Sequence, residues 1–158
     1  MNIKLLGLGQ FMRGDDEIGL EILKRWMADH QADYPEDQIE GVILESPGIT
    51  LLSEIAGLDA AVLVDAVQSG APAGRVIKFS EDDLDVFGDG SGSVHGWGAA
   101  ETLSLGHQLV PEDMPTEIIL IGVEAVVFEL GAGLSPAVRA AIPKALRMIN
   151  QVLGELLK

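Results

Sequence analysis

Two aspartates and a histidine stand out by where they fall in the chain. Asp16, with Asp15 beside it, follows an apolar run and a glycine-bearing stretch (Gly7, Gly9, Gly14). Asp65 ends a second apolar run, residues 60–64 (AAVLV), and His95 follows a stretch rich in glycine and serine. Two carboxylates and an imidazole make an oxygen and nitrogen donor set suited to a borderline divalent ion such as nickel or zinc, and three protein ligands leave positions open for water or substrate. The chain has no cysteine, so thiolate zinc sites, a cysteine nucleophile and a disulfide framework are all excluded. The same three residues also have plainer uses. Asp15 or Asp16 can cap a helix, because a carboxylate accepts the first free N–H groups and suits the positive end of the dipole. Asp65 can close an Asx-type turn, and a single histidine can serve as a surface or packing residue.

Other chemistries leave weaker traces. Gly7-Leu8-Gly9 begins like a dinucleotide loop, but the third glycine of G-x-G-x-x-G falls on Met12, and Asp15 and Asp16 would repel a phosphate at that helix start. No phosphate loop with Gly-Lys-Ser/Thr, no H-E-x-x-H zinc motif and no G-x-S-x-G elbow is present. Ser69, Ser91 or Ser93 near His95 would be needed for a serine triad, and none carries a signature of one.

The elements that would position these residues alternate in period. Residues 2–8 (NIKLLGL) read as a buried strand, and from Asp16 the spacing of Ile18, Ile22, Leu23, Trp26 and Met27 changes to that of a helix. A polar connection over residues 30–40 leads to a second strand at 41–46, ended by Pro47 and Gly48, with a short helix over 49–57. Residues 60–64 give a third strand that reaches Asp65 at its end. Residues 75–79 (RVIKF), with two charges in five, read as an edge strand. Residues 80–93 show no periodicity and predict a mobile loop whose acidic part is solvated surface. A helix over 97–108 and a last central strand at 117–123 (EIILIGV) follow. Ser135-Pro136 then opens a C-terminal helical segment with the apolar face Val138, Ile142, Ala145, Ile149, Val152 and Leu156, which Pro143 kinks or divides.

Continuous apolar strands alternating with helices predict a single three-layer α/β domain over residues 1–158, with a mostly parallel sheet of about five strands flanked by helices. In such sheets ligands bind beyond the carboxyl ends of the strands. Asp16 and Asp65 both fall there.

The whole composition narrows the partners. With 47% hydrophobic residues, 19 glycines and a formal charge of −15, the chain predicts a real core and an acidic surface that repels nucleic acid and anionic lipid. Basic proteins and metal ions are the better partners. No apolar run approaches the roughly 20 residues of a membrane span and the start is unlike a secretory signal, so the expected location is the cytoplasm. No coiled-coil seam is left over, and the expected state is a monomer.

Read together, Gly7-Leu8-Gly9-Gln10-Phe11-Met12-Arg13-Gly14-Asp15-Asp16-Glu17-Ile18-Gly19 resembles the opening motif of the hydrogenase maturation protease family, G-x-G-N-x-L-x-x-D-[DE]-x-x-G. Val64-Asp65-Ala66, His95-Gly96 and Ile121-Gly122-Val123-Glu124, followed by Gly131 and Leu134-Ser135-Pro136, agree in order. Gln10 stands where the family usually has Asn, Asp16 is the shorter of its two acids, and Glu17 replaces a frequent glycine.

The resemblance implies an endopeptidase that removes a C-terminal extension from the large-subunit precursor of a nickel-iron hydrogenase after nickel insertion. It implies that Asp16, Asp65 and His95 form the metal-binding and catalytic set. The nickel is presented by the substrate, and other divalent ions such as zinc or cadmium can occupy the site. The alternative is a non-cleaving nickel-centre checkpoint or metal-binding chaperone.

Overall fold

The computed structural model describes residues 1–87 and 98–158. Its centre is a five-stranded sheet in the order β2-β1-β3-β5-β4. The strands are β1 (Ile3–Gly9), β2 (Ile39–Glu45), β3 (Ala60–Val67), β4 (Val76–Ser80) and β5 (Glu117–Glu124). All neighbours run parallel except β4, which pairs antiparallel with β5 at one edge. Of the two charges read at 75–79, Lys78 lies on a true edge strand, where its side chain can reach water, and Arg75 just precedes it.

The period of two explains how one sheet supports two cores. Ile3, Leu5, Val62, Val64, Ile121 and Val123 face one side, while Leu6, Leu8, Ala61, Leu63, Ile118 and Leu120 face the other. The first side is covered by α1 (Ile18–His30), α4 (Pro136–Ala140) and α5 (Ile142–Leu156), and the second by α2 (Thr50–Ile55) and α3 (Ala99–Leu109). Trp26 of α1 is fully buried and its indole N–H donates to Asn150 Oδ1 of α5 at 3.1 Å, so the large ring packs without an unsatisfied donor. The C-terminal helical segment is indeed divided, with Pro136 and Pro143 each in the first turn of its own helix, where a missing N–H costs nothing. Among the described residues no helix is long and apolar enough to cross a membrane.

The connections fix where a site can open. From β1 the chain crosses to β2 through α1 on one face; from β2 it returns to β3 through α2 on the other. Successive crossovers therefore leave β1 on opposite faces, and a crevice opens beyond the carboxyl ends of β1 and β3.

Two expectations are corrected here. The strand holding Asp65 runs on to Val67, so this residue lies inside β3 and not just past its end. The acidic part of residues 80–93 is not irregular throughout: Asp82–Phe87 forms a 3₁₀ turn, and Asp83 accepts hydrogen bonds from both the N–H and the hydroxyl of Ser80 at 2.9 Å. The remainder of that stretch lies outside the described residues.

Candidate active site

The approach of α1 to the sheet depends on Gly19, the last residue of the opening motif. A Cβ there would lie 2.2 Å from the Leu8 carbonyl oxygen and 2.4 Å from that of Val64. Only glycine lets the first turn of α1 sit on the carboxyl ends of β1 and β3 together. That seat carries the preceding 3₁₀ turn, Gly14–Glu17, into the crevice, and Asp16 is only 2% exposed there. Gln10, which departs from the family pattern, accepts a hydrogen bond from Arg13 within the same loop at 3.4 Å.

Asp65 arrives from the other side of the crevice. Pairing between β1 and β3 stops at Gly7 opposite Val64, whereas pairing between β3 and β5 continues through Asp65 opposite Gly122 to Val67 opposite Glu124. Asp65 is thus the first residue of β3 beyond its pairing with β1. It is 2% exposed, and its Oδ1 accepts the Ala66 N–H at 2.8 Å. Part of the plain local use expected for an aspartate at a strand end is therefore present.

Asp15 does not cap α1. Neither the 3₁₀ turn nor α1 has a side-chain cap. Asp15 turns instead to the segment after β5: Oδ2 accepts the N–H groups of Val126 and Val127 at 3.0 Å each and the Ser135 hydroxyl at 2.9 Å, and Oδ1 accepts the Ser135 N–H at 2.7 Å. Further main-chain bonds join the two segments, from Asp15 N–H to the Val127 carbonyl at 2.6 Å and from Gly131 N–H to the Met12 carbonyl at 2.7 Å. Gly14 permits this closeness. Its φ is +60°, and a Cβ there would lie 2.4 Å from the Val127 carbonyl oxygen. A fully buried carboxylate with hydrogen bonds of this number is satisfied, and it fixes the loop that follows β5. Phe11, Met12, Val126 and Leu130 are exposed apolar side chains on the two segments so joined.

Glu124 plays a similar part at the end of β5. It is 3% exposed and accepts the N–H and hydroxyl of Ser69 at 2.9 and 2.7 Å and the N–H of Gly70 at 3.0 Å, which pins the turn after β3. The Ser69 hydroxyl is committed as a donor to a carboxylate, so it is not set up as a nucleophile. Asp15 and Glu124 were visible in the sequence only as motif positions, because their partners are far away along the chain.

Of the residues singled out by sequence, the structure brings Asp16 and Asp65 to the carboxyl ends of adjacent strands. His95, Ser91 and Ser93 lie outside the described residues. Among the described residues no group of three histidines, aspartates or glutamates is arranged to hold a metal ion. The two buried carboxylates offer oxygen donors of the kind that a hard or borderline divalent ion takes.

A family model described as hydrogenase maturation protease matches residues 46–152, more than half of the chain. The hydrogenase 2 maturation protease of Escherichia coli K12 is 28% identical over 156 residues, covering 98% of this chain and 92% of that protein. The hydrogenase expression/formation protein HupD of Thiocapsa roseopersicina is 27% identical over 155 residues, covering 97% of this chain and 68% of that one. The hydrogenase maturating endopeptidase HybD from E. coli superposes with a TM-score of 0.84 at 26% identity, covering 98% of this chain and 93% of that one. The motif that ends on Gly19, the crevice that it shapes and the match over residues 46–152 agree: the chain belongs to the hydrogenase maturation protease family and is a peptidase.

Proposed function

We propose that the protein removes a C-terminal extension from the large-subunit precursor of a nickel-iron hydrogenase once nickel has been inserted, and that Asp16, Asp65 and His95 recognise that nickel. The observation that carries the reading is the burial of Asp16 and Asp65 at the carboxyl ends of neighbouring strands. Two carboxylates held close to adjoining strand ends offer oxygen donors to a divalent cation that arrives with the substrate.

The nickel is part of the substrate, and near the scissile bond it can polarise a carbonyl or activate water. The chain's own residues then have distinct work. Asp16 and Asp65 orient the precursor through its metal, and whichever carboxylate oxygen stays uncoordinated is placed to take a proton from the attacking water. His95 is the nitrogen donor of the set. Asp15 and Glu124 hold the loops around the crevice so that the two carboxylates keep their positions.

The test is incubation of the purified protein with a large-subunit precursor loaded with nickel or free of it, read by intact mass. C-terminal mass loss only from the loaded form is expected. Equal loss from both forms would remove nickel recognition from the reading, and binding of the loaded form with no loss would favour a checkpoint that does not cut.

A further inference from the structure

The two edges of the sheet are protected to different degrees. At one edge, β4 is five residues long, antiparallel, and carries Lys78 at its centre. Such a strand is a poor template for another chain. At the other edge, the outward-facing groups of β2 are those of Ile39, Gly41, Ile43 and Glu45, since the alternate residues point to β1. The half of this edge far from the crevice is closed by a side chain: the Gln31 amide donates to the Ile39 carbonyl and accepts the Gly41 N–H, both at 2.8 Å. Gln31 there does what a neighbouring strand would do. Among the described residues no side chain covers the half next to the crevice in this way. Among the described residues nothing bonds the Gly41 carbonyl, either main-chain group of Ile43, or the Glu45 N–H. The residues along it, Val42, Ile43 and Leu44, are apolar and partly exposed, the pattern that edge strands normally avoid.

We infer that the open half of β2, from Gly41 to Glu45, binds an extended segment of the precursor beside its cleavage site by adding it to the sheet as a further strand. This rests on the peptidase reading above and adds where the substrate chain lies. The opening runs towards the carboxyl end of the sheet, so a strand seated there leads into the crevice that holds Asp16 and Asp65. Glu45 also reaches the motif loop, where its Oε1 accepts the Phe11 N–H at 3.4 Å. Main-chain pairing supplies affinity with little demand on sequence, as a processing enzyme for an unfolded tail requires. Charge argues for the kind of segment. Glu36, Asp37 and Glu45 are exposed on or beside β2, and the chain carries −15 overall, so a tail with Lys or Arg is attracted. A second copy of this chain, with its own −15, is repelled.

Proline can replace Ile43 without breaking the β1–β2 pairing, because its N–H points outward. With a nickel-loaded large-subunit precursor, Ile43→Pro is expected to raise KM by about tenfold or more, with a smaller change in kcat. An unchanged KM in a folded variant overturns the inference. Amide exchange of the unaltered protein gives a second readout, independent of any variant. Slower exchange at Ile43 and Glu45 on adding the precursor supports pairing, and unchanged exchange at both during active cleavage overturns it while leaving the peptidase intact. Slowing that appears with protein concentration alone shows that the edge pairs with itself and overturns the inference too. Failure of cleavage by the unaltered protein, with or without nickel, would instead count against the proposed function.

Discussion

At the amino ends of the strands the charges remain near water, while at the carboxyl ends of the central strands four carboxylates are buried. Lys4 is partly exposed and pairs with Glu54 at 2.9 Å and Glu40 at 3.6 Å, and exposed Asp59 accepts the Asn2 N–H. At the other end Asp15, Asp16, Asp65 and Glu124 are each no more than 3% exposed, and with Thr102 they are the buried polar residues among those described. Burying a carboxylate costs several kcal/mol unless hydrogen bonds or a cation offset it. The fold accepts that cost at one end only, and there the carboxylates divide into two kinds. Asp15 and Glu124 collect main-chain N–H and hydroxyl donors from distant segments and brace loops, whereas Asp16 and Asp65 are buried at the carboxyl ends of β1 and β3, where Asp65 accepts the N–H of its own neighbour Ala66.

Predictions follow that division. Asp16→Asn and Asp65→Asn should each lower processing of a nickel-loaded precursor by more than about a hundredfold, with circular dichroism and unfolding midpoints close to the original. A large loss of stability in these variants would merge the two kinds of carboxylate. Asp15→Ala should do the reverse in order of cause. It leaves the N–H groups of Val126, Val127 and Ser135 without their acceptor and should cost about 3 kcal/mol in urea unfolding, with processing falling as a result. Glu124→Gln keeps the shape of its side chain but loses the charge, and about 1–2 kcal/mol is expected from the same measurement.

The smallest effect belongs to the amino end. The hydrogen bond that Lys4 donates to Glu54 is the largest cause that raises the Lys4 pKa, followed on the favourable side by the charges of Glu54 and Glu40. A raised ammonium pKa adds stability that is fully present below the ordinary lysine value of about 10.4 and is lost as pH rises through the folded value. Lys4→Met should therefore flatten the alkaline end of the stability profile by about 0.5 kcal/mol or less, and leave processing unchanged. A marked loss of processing would show that the two ends are coupled.

The contrast also separates what the sequence discloses from what it hides. Leu5 against Leu6 and Val62 against Leu63 alternate faces, so both cores and the mostly parallel sheet can be read from the chain. The division of the last helical segment is equally local, since Pro143 cannot sit in a helix interior. Asp65 was placed at a strand end because the apolar run stops before it, yet β3 continues to Val67 because β5 pairs alongside it. Asp15 was read as a cap because its sequence neighbours start a helix. Its actual partners lie 111 to 120 residues away, and no local pattern reports a contact of that separation. Gly19 shows the opposite case: the motif retains a glycine, and two carbonyl oxygens within 2.4 Å of any Cβ give the reason.

The proposed function assigns Asp65 to the reaction. Its most direct test is intact mass spectrometry of a nickel-loaded large-subunit precursor after incubation with the protein or with its Asp65→Asn variant at matched unfolding midpoint. Loss of the C-terminal extension is expected with the original protein, and an unchanged precursor mass with the variant. Equal release of the extension by both would contradict it.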